Sequence, residues 1–155
     1  MTRKEKAVEI FNRKFHCSQA ILAAFADECG LTEKTALRLG GCFGSGMRRG
    51  EVCGACTGAL MVLGAMYGQC DETDLQSREL ANRVNDHMMK LFAERVGSYM
   101  CRDILGVDIT TAEGVQYARE NHLFTELCPR IVAAAADVLE EIIAENGEPL
   151  SGDDK

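Results

Sequence analysis

Proline is scarce in this chain, with two residues in 155. No low-complexity tract, internal repeat or linker divides it. The composition, 46% hydrophobic and 26% charged, excludes a disordered polymer and describes a folded protein. The length suits one domain with a core of its own. A basic excess is also missing. The formal net charge is −7, which argues against nucleic acid as a partner, because phosphate binding needs a basic surface. The first residues, MTRKEKAVEIF, are charged and amphipathic and carry no apolar signal-peptide core. A cytoplasmic location is therefore expected. Val52 to Cys70 contains no charged residue and approaches the length of a membrane span. It also contains glycines, a threonine and a glutamine, and it stands alone in a polar chain. A buried central helix is expected there, and no membrane partner.

Runs of alternating β-branched residues are nearly absent, while helix signals recur. Thr2-Arg3-Lys4-Glu5 reads as a capping box opening a helix with Val8, Phe11 and Phe15 on one face. Ser18 is placed to cap a second helix bearing Ile21, Leu22 and Phe25, with Gly30 as its stop. Thr32 opens a short third helix. A glycine-rich loop, GGCFGSGMRRGE, precedes the apolar fourth helix. Thr73 or Asp74 starts a long fifth helix, where Leu80, Val84, Met88, Leu91 and Val96 keep helical spacing. Ser98 is placed to cap the turn CRDILG, ended by Gly106, and Thr110-Thr111-Ala112-Glu113 reads as a further capping box. Cys128 is the expected N-cap of a last helix with Pro129 at its first position and Ile131, Val138, Leu139 and Ile142 on one side. The expected fold is all-α: a single-domain bundle of about six to eight helices over residues 1–148, with a frayed tail at 149–155.

Against these scarcities stand eight cysteines, at positions 17, 29, 42, 53, 56, 70, 101 and 128. In a reducing compartment such thiols point to metal binding or catalysis rather than to disulfides, although a thiol also packs well as a small apolar group. Cys17, Cys53, Cys101 and Cys128 each fall in or beside the first turn of an expected helix. Unpaired amides and the helix dipole favour an anion there and lower a thiol's pKa. Thiolate is the form that attacks and the form that ligates metal. Cys29 and Cys70 fall at helix ends, where the dipole disfavours a thiolate, and read as structural. Cys42, in the glycine loop, and Cys56, one turn beyond Cys53, stay open as supporting groups or extra ligands. The C-x-x-C pair Cys53–Cys56 is one candidate disulfide couple.

Other motifs carry less. The glycine loop lacks a preceding strand, the Walker spacing with its lysine, and G-x-G-x-x-G, so a phosphate-binding loop is rejected. A flexible cover over the thiols fits better, with Arg48 and Arg49 as cations beside a negative site. His16 adjoins Cys17 and is weighed as a tuning group against a plain surface residue. His87 and His122 have no partner at catalytic spacing. Met61, Met66, Met88 and Met89 read as core fillers, and Glu140-Glu141 as a solvated helix face.

The ordered set Cys17 in FHCSQAIL, Cys53-Gly54-Ala55-Cys56-Thr57-Gly58, Cys101 in CRDILG and Cys128 in ELCPR resembles the C_GCAxxG_C_C family of redox-active proteins. The resemblance covers about residues 5 to 145, and Cys56 lies at a variable position of its motif. A fainter resemblance, to the N-terminal part of split-Soret cytochromes, implies an iron–sulfur cluster with Cys17, Cys53, Cys101 and Cys128 as ligands. This chain has no C-x-x-C-H and so no attachment site for haem. The implied role is electron transfer or redox sensing with a redox protein or small-molecule electron carrier. Whether the protein is an enzyme stays open. The alternatives are a thiol–disulfide oxidoreductase, using Cys53–Cys56 or two of the family cysteines, and a cysteine-ligated zinc module. Gly54 and Gly58 share a helical face and clear space, either for a neighbouring thiol or for close helix packing. The apolar fourth helix leaves a homodimer open.

Overall fold

The computed structural model describes residues 1–149. Among these residues the chain forms eight α-helices: α1 Arg3–Asn12, α2 Cys17–Ala24, α3 Glu33–Leu39, α4 Gly54–Tyr67, α5 Leu75–Val96, α6 Cys101–Leu105, α7 Ala112–Glu120 and α8 Cys128–Asn146. The all-α expectation holds. The expected tail lies outside the described residues from position 150 onward.

Several helix starts follow from local chemistry. The Thr2 hydroxyl accepts from the Glu5 amide at 3.1 Å, and the Glu5 carboxylate accepts from the Thr2 amide at 2.7 Å, closing the capping box of α1. Thr32 caps α3 and Asp74 caps α5, each accepting from the amide three residues on. Gly97 and Gly106 end α5 and α6 in left-handed conformations at φ 98° and 69°.

The core forms where the apolar stripes of α1, α2, α4, α5 and α8 meet. α2 is the most enclosed helix: every residue from Ala20 to Ala24 is buried, and Ser18 beside them is too. Along α5, Leu80, Val84, Met88 and Phe92 repeat every four residues and face inward. Each large side chain removed from water contributes about 1.5–3 kcal/mol. The apolar run around α4 is a core helix whose Gly64 and Ala65 reach the surface. Among the described residues no helix is long and apolar enough to cross a membrane.

Some boundaries differ from expectation, and each for a local reason. His16 is the N-cap of α2, its amide donating to Gln19 Oε1 at 2.9 Å. The hydroxyl of Ser18 is buried instead and donates to the Gly40 carbonyl at 2.7 Å, tying α2 to the turn after α3. α2 ends at Ala24, and the left-handed Gly30 closes the irregular turns that follow it. Met100 is the N-cap of α6; Ser98 supports that turn by accepting from the Met100 amide and donating to Asp103. Thr111, one residue later than expected, caps α7 through the Gly114 amide, because Thr110 is occupied with Asp108. Cys128 is the first residue of α8 and not its cap. A wide turn, Leu123–Leu127, runs directly into the helix before it.

Candidate functional site

Four chain segments deliver four thiols to one cavity. Cys17 is the first residue of α2, Cys53 the N-cap of α4, Cys101 the first residue of α6 and Cys128 the first of α8. The segments before α4 and α6 are zipped together. Val52 and Met100 form an antiparallel bridge, the Cys53 amide donates to the Tyr99 carbonyl and the Cys101 amide to the Glu51 carbonyl, both at 2.7 Å. Arg102 clamps the same junction through the Gly50 carbonyl and the Glu51 carboxylate. Two cysteines 48 positions apart therefore share a wall.

Space for Cys17 comes from a missing side chain. A Cβ on Gly54 would lie 2.5 Å from Cys17 Sγ and 3.0 Å from the Phe43 carbonyl oxygen. One turn on, a Cβ on Gly58 would lie 2.9 Å from the Ser18 carbonyl oxygen. The two glycines thus serve both purposes expected of them: Gly54 makes room for a thiol and Gly58 brings α4 against α2. The cavity so formed has a volume of about 370 Å³, and all four cysteines line it. Phe11, Phe15, Ile104, Leu105, Phe124 and Ile131 give it a mainly apolar wall.

Low polarity and crowding set the thiol chemistry. The neighbouring Cys53 thiol does most to pull the Cys17 thiol down to about 7. Burial opposes the shift, and the amides of Ser45, Ser18 and Cys17 itself assist it. Cys53 is pushed well up by the neighbouring Cys17 thiol, by burial, and by repulsion from Cys17 and Cys101. Burial, with repulsion from the Cys17 thiolate, raises Cys101 to about 12. Cys128 also rises to about 12, through burial and repulsion from Cys17 and Cys101. Of the four thiols, Cys17 is the one whose charged form the cavity favours. Further thiolates need incoming positive charge.

The remaining cysteines lie elsewhere. Cys56 is fully buried, its thiol 3.5 Å from Met89 Sδ on α5, and burial alone lifts it to about 12. It does not line the cavity. Cys29 packs half-buried against the core, while Cys42 and Cys70 are exposed. Among the described residues, no three His, Cys, Asp or Glu side chains converge closely enough to hold a single metal ion.

Of the glycine loop, one residue reaches the thiol cavity, and the expected arginines do not. Ser45 lines the cavity, whereas Arg48 and Arg49 face a neighbouring pocket. Ser45, Gly46, Met47 and Arg48 are all left-handed, with φ between 54° and 59°. Such a run is sterically costly for residues with a side chain and gives the loop one defined shape. His16, though exposed, contributes to the rim, where its ring lies over Gly44; a Cβ there would come within 2.3 Å of it. Sequence reasoning missed Asn12, Lys14, Ser45, Phe124 and Thr125 as wall residues. Only Ser45 had a signal, its place in the loop already suspected as a cover.

Comparison with known proteins agrees with the cysteine pattern. Residues 15–142 match the family model described as "Putative redox-active protein (C_GCAxxG_C_C)", and the chain belongs to that family. No curated protein and no solved structure matches it.

Proposed function

We propose that this member of the C_GCAxxG_C_C family carries an iron–sulfur cluster in the thiol cavity, held by Cys17, Cys53, Cys101 and Cys128, and works in electron transfer or redox sensing. The carrying observation is the convergence of four thiols from four chain segments on one mainly apolar cavity. The donor set fits the group. Three of the four thiols resist ionisation on their own, and a cationic centre would supply the charge that stabilises their thiolates. Tetrahedral coordination of one zinc ion needs sulfurs roughly 4 Å apart, and no such group is assembled among the described residues. A cluster spreads its ligands over several irons and so accepts a wider ring of sulfurs. When bound it would supply one-electron chemistry. The chain's own contribution is to exclude water with Phe11, Phe15 and Phe124 and to direct the Ser45 and Ser18 amides at the Cys17 sulfur. A redox protein or a small-molecule carrier would exchange the electron. The reading suits the cytoplasm, where thiols stay reduced.

The test is anaerobic purification and cluster reconstitution, with iron, acid-labile sulfide and visible absorption measured. Stoichiometric iron and sulfide are expected. They should be lost in Cys17→Ala, Cys53→Ala, Cys101→Ala and Cys128→Ala, and kept in Cys42→Ala and Cys56→Ala. Colourless, iron-free protein after reconstitution overturns the reading.

A second reading draws on Cys17 and Cys53 facing one cavity, where the Cys17 thiol lies low and the Cys53 thiol is pushed up. In a thiol–disulfide oxidoreductase, the Cys17 thiolate would attack a substrate disulfide and release one substrate thiolate. Cys53, giving up its proton, would then attack the mixed disulfide. The products are a Cys17–Cys53 disulfide and a reduced substrate dithiol, two electrons having passed to the substrate. A reversible Cys17–Cys53 disulfide in metal-free protein, mapped by mass spectrometry against redox potential, supports this reading. The buried Cys56 is a poor partner for Cys53 in such a couple.

A further inference from the structure

Ser45 and Phe124 each have two sides. One lines the thiol cavity and the other lines a second pocket of about 300 Å³. Arg48 and Arg49 from the glycine loop and Arg119 from the last turn of α7 converge on that second pocket. Among the described residues, no carboxylate lines it. Among the same residues, none of the three guanidinium groups belongs to an ion pair. In a chain of net charge −7, three unpaired arginines around one concavity are a local reversal of sign. The loop is shaped to hold them: Arg48 is left-handed at φ 58°, and Arg49 folds back so that its Nη1 donates to the Arg48 carbonyl at 3.1 Å. Ile109 and Phe124 add an apolar side to the pocket.

We infer that Arg48, Arg49 and Arg119 form a binding site for a small organic oxyanion, a carboxylate or phosphate with an apolar body, separated from the thiol cavity by Ser45 and Phe124. Guanidinium forks match the oxygens of either head group, and Phe124 and Ile109 accept the body. The site stands on these arginines and needs no occupant in the thiol cavity. A ligand held here would lie next to the redox centre. That is the position of a substrate or of an effector of Cys17, whose sulfur already faces the Ser45 amide.

The test titrates the full chain, at constant ionic strength, with phenyl phosphate, benzoate and inorganic phosphate, followed by calorimetry and amide chemical shifts. One saturable site is expected for phenyl phosphate or benzoate, phenyl phosphate binding more tightly than inorganic phosphate. The two organic probes distinguish a phosphate from a carboxylate ligand. Shifts should centre on residues 45–50 and 119. Arg119→Gln and Arg48→Asn, the latter chosen because Asn tolerates the left-handed backbone, should each weaken binding about tenfold or more. Arg83→Gln, on α5 outside the pocket, should bind as the parent does. Absence of a saturable site for both organic probes overturns the inference. Equal weakening by Arg83→Gln, or inorganic phosphate binding as tightly as phenyl phosphate, does so too.

Discussion

Cys53 and Cys56 begin the same helix one turn apart, yet the regions around them obey different rules. Cys53 faces a cavity shared with Cys17, where glycine replaces a side chain to leave room for the Cys17 sulfur and the walls include Ser45 from a loop in a costly conformation. Around Cys56, the thiol is one more apolar group, packed against Met89 among fully buried alanines and valines. The difference shows that a cysteine's chemistry here is set by what its neighbours leave open. Helical position alone explains little, because Cys101 and Cys128 also begin helices and still rise to about 12 through burial. Cys17 differs because the neighbouring Cys53 thiol and nearby amides favour its charged form.

That contrast can be broken at either end. The largest effect is expected in the packed region. Phe92→Ala empties a fully buried site and should cost about 3–5 kcal/mol in denaturant unfolding. The pH profile of Cys17 alkylation, measured while the variant is folded, should not change. A shifted profile would mean that the core and the cavity are not separable.

A smaller effect is expected from the thiol pair. Thiolate is the nucleophile, so Cys17 alkylation followed by mass spectrometry should rise through a midpoint near 7. Removing the neighbouring thiol in Cys53→Ala takes away the largest influence favouring the thiolate and should move that midpoint up toward the ordinary value of 9.0. Cys56→Ala should leave it in place. An unmoved midpoint in Cys53→Ala would remove the asymmetry on which the thiol–disulfide reading rests.

The smallest effects compare two glycines of α4. Gly64 is exposed and a Cβ on it meets nothing within 4 Å, so Gly64→Ala should stabilise the helix by up to about 1 kcal/mol. Gly54→Ala drives a Cβ against Cys17 Sγ and should destabilise by about 1–3 kcal/mol while disturbing Cys17 reactivity. Thermal melts of the two variants give the comparison directly, and equal melting temperatures would show that Gly54 leaves no space that matters.

Much of the helical frame was legible because its causes are local. A capping hydroxyl acts within three residues, and an apolar stripe repeats every three or four, so Thr2, Thr32, Asp74 and the α5 series Leu80, Val84 and Met88 could be read directly. Ser18, Ser98 and Thr110 carry capping chemistry but have side chains engaged elsewhere, with the Gly40 carbonyl, the Met100 amide and Asp108. Several polar side chains near a helix start can compete for its amides, and the sequence does not rank them.

By itself, the sequence determined an all-helical chain, the family pattern, and four thiols at or beside helix beginnings. Only the tertiary structure decided that those four thiols line one cavity, that Cys56 does not join them, and that the loop arginines face a neighbouring pocket together with Arg119. These outcomes depend on contacts between segments far apart in the chain: the Val52–Met100 bridge, the close approach of α4 to α2 at Gly54 and Gly58, and the left-handed run from Ser45. Helical periodicity records which face of a helix is buried; it does not record which other helix covers that face, or where a gap is left.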